Sequence, residues 1–304
     1  MPQTLAVEPG GAQGAGGSGE SGASPAKRPV RVRRRGRVGP GVAIAIGVLA
    51  LFALVGLAPG LFTDTSPIDT DPLAALRGPG TEHWFGTDQL GRDVFARVLH
   101  GARPSLLLGL GATTFALVGG TIWGLAAALG GRAADQVFMR LADVMLSLPE
   151  LLLALFVVTL LGRGTVNVMI AVAIAAMPGY ARLVRAEALV VRRSGYVEAA
   201  AGLGLRRPVL IARHVLPNAI GPLLVLATVG FGTSLIYASG LSFLGLGAQP
   251  PSPEWGAMLS EGRGFLETAW WIGVFPGAAV TCAVIAVNVA GRHARTRFAG
   301  GIPR

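Results

Sequence analysis

The chain has 304 residues and a mass of 31.1 kDa; 52% of its residues are hydrophobic, 14% are charged, and its mean hydropathy is +0.58. Soluble domains carry roughly 25% charged residues, so an ordinary water-soluble globule is excluded and a polytopic membrane protein remains. A net charge of +10 fits nucleic acid, an anionic lipid surface or membrane topology, and charge position decides among them. The single cysteine, Cys282, excludes a disulfide framework or a cysteine metal cluster within the chain.

Residues 1–26 are mostly Gly, Ala, Ser and Pro, with two glutamates, a composition that supports no packed core. KRPVRVRRRGR follows at 27–37, so 1–37 is expected to be a disordered cytoplasmic tail whose basic end holds it inside and meets anionic lipid. Six apolar runs then appear, each long enough for a bilayer core of about 30 Å: 38–63, 104–131, 144–162, 164–181, about 215–238, and 268–291. They are apolar on every side, so they read as helices and not as the alternating strands of a barrel. The first exceeds the usual length of about 7–15 residues for a signal-peptide core and is expected to remain as a span.

Between the first two runs, 64–103 forms an outer loop containing GTDQLGRDVFARVLHGAR at 86–103. Asp93 is an N-cap candidate, and Val94, Phe95, Val98 and Leu99 share one stripe, which predicts a short helix lying along the membrane surface. A docking or gating role is the functional reading; a purely structural helix is the alternative. The later stretch 241–267, with LSFLGLGAQPPSP at its start, is broken by Gly and Pro and reads as an interfacial loop on the same side.

Lys and Arg counts orient the bundle. With the N-terminus inside, the inner segments hold seven bases before residue 38, two in 132–140, seven in 182–213 and four after 291; six lie outside, alongside nine acids. The positive charge is therefore mostly topology, and no nucleic-acid partner is expected, since the basic tail also lacks interleaved aromatics.

The inner segment from Gly179 to Pro222 is far longer than a connection needs. Helical pieces are expected from about Ala181, from about Gly195 to Leu203, and from near Pro208, with Gly204 as the break. Tyr196, Val197, Ala200 and Leu203 lie near one face, where small alanines permit close approach by a partner. A self-packed or re-entrant loop is the alternative.

Glu198, Ala199 and Ala200, three intervening residues, Gly204, and then HVLPN at 214–218 resemble the EAA loop of ABC-importer permeases. GTDQLGRDVFARVLHGAR at 86–103, RLADVMLSLP at 140–149, PGYARLVRAE at 178–187 and LSFLGLGAQPPSPEWGAML at 241–259 extend the likeness to the C-type permease subunits of dipeptide and oligopeptide transporters. The resemblance covers about 82–290. It implies an all-α polytopic membrane protein with six transmembrane helices, the type I ABC-importer permease fold, and both termini cytoplasmic, in the bacterial cytoplasmic membrane. On that reading 38–63 is the first span, 104–291 is a core of five spans with the coupling loop at 182–217, and 292–304 is a cytoplasmic tail.

The same resemblance implies that Tyr196, Glu198, Ala199, Ala200, Gly204, Arg213, His214 and Pro217 couple to ATPase subunits. Gly86, Asp88, Arg92, Asp93, Glu254 and Trp255 are the candidate outer receptor or gating contacts. The implied partners are a homologous B-type permease, two cytoplasmic ABC ATPases, an extracytoplasmic solute-binding protein and lipid. Di- or oligopeptides are the expected cargo, with nickel chelates or glutathione as alternatives. The chain departs from the pattern in its tail GRHARTRFAGGIPR, which lacks acidic character, and at Glu150 after Pro149.

The chain's own chemistry agrees with that division of labour. Its only lysine is Lys27, and the Gly-rich stretch at 10–18 offers none, so no P-loop is present. No catalytic residue, bound cofactor or metal site is expected; ATP and Mg belong to partner subunits. His83, His100, His214 and His293 are scattered over both sides without a metal-ligand spacing. Glu150, the one acid inside a strong apolar run, is either the proton site of an ion-coupled carrier or a carboxylate held where Pro149 opens the helix. Gly120 and Gly124 form a GxxxG pair suited to close helix packing.

Overall fold

The computed structural model describes residues 39–192, 194–195, 209 and 216–299, with the side chains of 216–222, 224 and 294–299 left out. Eight α-helices and no strands are found among them: α1 (Pro40–Leu57), α2 (Val94–Leu129), α3 (Gly131–Leu146), α4 (Glu150–Leu161), α5 (Thr165–Arg192), α6 (Leu216–Phe243), α7 (Trp255–Gly262) and α8 (Trp271–Ala299). Five of these, α1, α2, α5, α6 and α8, are long and apolar enough to cross a membrane, and α3 with α4 makes a sixth candidate bent by 97°.

Three expectations change. The third span does not run straight through 144–162, because Pro149 supplies no N–H and pushes Leu148 out of the α region, so the chain turns at 147–149 between α3 and α4. The separate surface helix at 94–103 is also absent as such. Residues 94–103 are the first turns of α2, which continues through Pro104. One missing backbone bond is offset there by burial: Val94, Ala96, Val98, Gly101, Ala102 and Ser105 are all buried. With 36 residues and a rise of about 1.5 Å each, α2 outruns the bilayer core and projects beyond it. In the same way α5 joins the span at 164–181 to the piece expected from Ala181, passing through Pro178.

Helices α2 and α5 pack most extensively on one another and form the centre; α6 lies on both, α8 packs on α6, and α1 fits against α8 and α2. The glycine pair explains the α2–α5 approach. A Cβ on Gly120 would stand 2.9 Å from the Met177 carbonyl oxygen, and one on Gly124 would stand 2.7 Å from Val184 Cβ. The GxxxG face is thus used inside the chain. One apolar cluster, with Val94, Val98, Leu235, Trp255, Met258 and Ile272, closes the end at which α2 begins. A second, with Leu108, Leu153, Val158, Val168, Val172 and Leu241, joins α2, α4, α5 and α6.

Candidate functional site

The end of the bundle where α2 begins is organised around charge. Asp88 Oδ1 accepts from the backbone N–H groups of Leu90 and Arg92 at 2.8 and 3.0 Å, and its Oδ2 accepts from Arg92 Nε at 2.6 Å. Arg92 and Arg97 both donate to Glu261 Oε2, at 2.6 and 3.1 Å, and Arg97 Nε lies 3.6 Å from Asp88 Oδ2. Two acids face two bases, so the group is formally neutral. Both arginines are at most 2% exposed, and Glu261 on α7 is the element that ties this distant segment to the 88–97 region.

Two caps fix the helices that carry these residues. Asp93 Oδ1 accepts from Ala96 N–H at 2.8 Å, and Asp93 Oδ2 lies 2.8 Å from His83 Nδ1. Glu254 accepts from Gly256 and Ala257 N–H at 2.8 and 2.9 Å, which starts α7. Burial pushes the Glu254 carboxyl above its ordinary range, and the Gly256 and Ala257 amides pull it partly back. Ser105 on α2 accepts from Trp255 N–H at 3.0 Å, while Trp255 Nε1 donates to the Val98 carbonyl at 2.9 Å. Gly86, at φ +72, admits Trp271: a Cβ there would fall 2.7 Å from both Arg77 O and Trp271 Nε1. The Trp271 indole donates to Thr87 O at 2.9 Å.

All six residues expected at this face are therefore brought into one assembly. Gly86, Asp88, Arg92, Glu254 and Trp255 are buried within the chain, and Asp93 is partly buried. They brace α2, α7 and α8 against one another and offer little side-chain surface to solvent. Sequence reading missed Arg97 and Glu261 as members. The available signal was four opposite charges in a chain with few, since a buried arginine needs a partner.

Tyr196, Glu198, Ala199, Ala200, Gly204, Arg213 and His214 lie outside the described residues; Pro217 falls in the first turn of α6, with its side chain left out. The helix leading into this segment is described, and three arginines hold it. Arg182 donates to Asp143 on α3 at 2.7 Å, Arg185 pairs with Asp135 with one contact at 2.6 Å, and Arg192 donates to the Ala128 carbonyl at the end of α2 at 3.1 Å. Helices α2, α3 and α5 are thereby linked where α5 leaves the bundle. Glu150 opens α4 at the break and is half-buried. Among the described residues no three His, Cys, Asp or Glu side chains are grouped to hold a metal.

The described residues form a core of apolar helices with a buried polar knot at one end and a braced α5 at the other, an arrangement that fits a membrane translocation subunit. Residues 120–300 match the family described as binding-protein-dependent transport system inner membrane component, and the chain belongs to that family. It is 42% identical over 248 residues to the dipeptide transport system permease protein DppC of Alkalihalophilus pseudofirmus, covering 82% of each chain. It is 44% identical to the di/tripeptide transport system permease protein DppC of Pseudomonas aeruginosa, covering 72% of this chain and 73% of that one. With the glutathione transport system permease protein GsiD of Pectobacterium atrosepticum it shares 41% identity, over 82% and 84% of the two chains. In fold it is similar to the inward-facing MetNI methionine ABC transporter, with a TM-score of 0.55 at 17% identity, covering 67% of this chain and 97% of that one.

The protein is thus an inner-membrane permease subunit of an ABC importer and not itself an enzyme, since ATP hydrolysis belongs to separate subunits of such transporters. Membership implies a second permease, ATPase and binding-protein partners as a class.

Proposed function

We propose that this chain is the C-type half of an importer for di- or oligopeptides. It pairs with a homologous B-type permease and lines the path at their interface. The observation that carries this reading is the 42% identity over 82% of the chain to a dipeptide permease, in a bundle with the importer-permease fold. Both termini lie inside, as the Lys and Arg distribution indicates. The segment 182–217 then faces the cytoplasm. Tyr196, Glu198, Ala199, Ala200, Gly204, Arg213, His214 and Pro217 seat in a cleft of one of two ATPase subunits that use ATP and Mg, and the described bracing of α5 by Arg182, Arg185 and Arg192 supports force transfer from that segment into α2 and α3.

The knot of Asp88, Arg92, Arg97 and Glu261, with the caps Asp93 and Glu254 and with Trp255, then faces outward as the rigid foundation on which a solute-binding protein docks. Its residues serve as positioning groups beneath the docking surface. Glutathione is the second reading, favoured by the 41% identity to a glutathione permease. Uptake of labelled dialanine and labelled glutathione into proteoliposomes containing the complete transporter and its binding protein separates the two. ATP-dependent dialanine entry, not competed by glutathione, is expected; glutathione entry alone would transfer the assignment.

A further inference from the structure

Glu150 stands at the break between α3 and α4, as the first residue of α4. Ala154 and Val158 follow it one and two turns along the same stripe, and both are 0% exposed within the cluster that α4 shares with α5 and α6. The carboxylate therefore leaves α4 on its packed face, yet it is half-buried and keeps an open side. Helix α4 has 12 residues, about 18 Å of length, and Glu150 is at the end remote from the turn at 162–164. A helix of that length stops well short of crossing a core of about 30 Å, so Glu150 belongs to the membrane interior.

The neighbouring acids have partners: Asp135 pairs with Arg185 and Asp143 with Arg182. Among the described residues no hydrogen bond or ion pair reaches the Glu150 carboxylate, so the backbone at the break does not hold it. Its electrostatic neighbours are two phenols, Tyr237 of α6, which is partly buried, and Tyr180 of α5, which is buried. A charged side chain inside a membrane is costly, and those that persist face a wet space and mark the path of a substrate or ion. Broken helices are where transporters place such contacts.

What this carboxylate lacks is a cation. ATP drives importers of this class, so no coupling ion needs a site, whereas every zwitterionic peptide brings one ammonium. A carboxylate accepts from that group strongly, and a phenol ring beside it attracts the same charge through its face. The cargo carboxylate would be repelled, which decides the end of the peptide that meets α4. We propose that Glu150 is a specificity contact on the translocation path, accepting from the α-ammonium of the passing peptide with Tyr237 beside it. The inference rests on the peptide-importer reading and adds to it the point at which the permease itself recognises cargo.

Dicyclohexylcarbodiimide modifies carboxyl groups in apolar surroundings, and peptide mapping reads the adduct at Glu150. The complete transporter is labelled in nanodiscs without its binding protein, with dialanine, dialaninamide or N-acetyl-dialanine present. At about ten times its Kd, dialanine should slow labelling of Glu150 about tenfold. Dialaninamide, which keeps the ammonium, should protect as well; N-acetyl-dialanine, which keeps only the carboxylate, should not. With the binding protein restored, Glu150→Gln should lower ATP-driven dialanine uptake about tenfold, as expected for loss of one charge-assisted hydrogen bond, and Glu150→Asp should retain most of it. A Glu150 that never labels in the complete transporter is covered by the second permease, and that result overturns the contact. Equal labelling with and without dialanine, or protection by all three probes, overturns it too. Wild-type uptake is scored separately: uptake with an unprotected Glu150 sinks the contact and keeps the importer reading, and protection without ATP-driven uptake does the reverse.

Discussion

Glu261 is the residue on which the α2 end of the molecule depends, because its single oxygen Oε2 serves two arginines that are 1–2% exposed. Glu261→Ala would leave Asp88 to balance both, and removing one partner of a buried ionic group costs about 3–5 kcal/mol. Thermal unfolding in detergent should show a marked drop in Tm. Combining Glu261→Ala with Arg97→Met should recover part of it, since the second change removes the stranded charge; strictly additive losses would refute a coupled knot. Glu254 makes a prediction in pH. Its folded carboxyl titrates above the ordinary 4.5, so the folded chain holds its proton more tightly than the unfolded one. Its contribution is complete below that ordinary value and is lost as pH rises through the folded value. The Tm difference between wild type and Glu254→Gln should therefore shift against the wild type as pH rises above the ordinary 4.5; a shift the other way would contradict the burial argument.

At the scale of elements, the α2–α5 contact is the test. A side chain at Gly124 meets Val184 Cβ at 2.7 Å, so Gly124→Val should cost about 1–3 kcal/mol through overpacking and lower the yield of folded protein. Gly131→Ala changes a glycine with open space around it but φ +86, so any cost there is backbone strain and not collision. The same helices show what a sequence can and cannot reveal. Apolar length announces every span, since a bilayer core of about 30 Å sets it directly. Continuity is harder to see. Pro104 and Pro178 sit inside unbroken helices, whereas Pro149 marks a 97° bend, and what separates them is packing: Pro178 is buried and Pro104 partly buried, while Pro149 is exposed. The α2 end is legible in the sequence through its caps, Asp93 and Glu254, because caps are local chemistry. Arg97 and Glu261 were not, because their pairing spans 164 positions in sequence and depends on how α7 folds back.

For the molecule as a whole, two ends carry two tasks. A neutral, buried ionic knot makes the α2 end rigid, and arginine bridges at the other end bind α5 to α3 and to α2. On the proposed coupling reading, force enters at the segment beyond Arg192, and a rigid frame of this kind would then move as a body, as a permease driven by a separate ATPase requires. The most direct test is a cross-link at that segment. In a Cys282→Ser background, Glu198→Cys is paired with a cysteine in the ATPase cleft, and adduct formation and ATP-dependent peptide import are measured on the same proteoliposomes. The account predicts that the adduct forms in the complete transporter and that import stops when it does and returns on reduction. Import that proceeds at full rate with the adduct formed, or with no adduct ever captured, would contradict it.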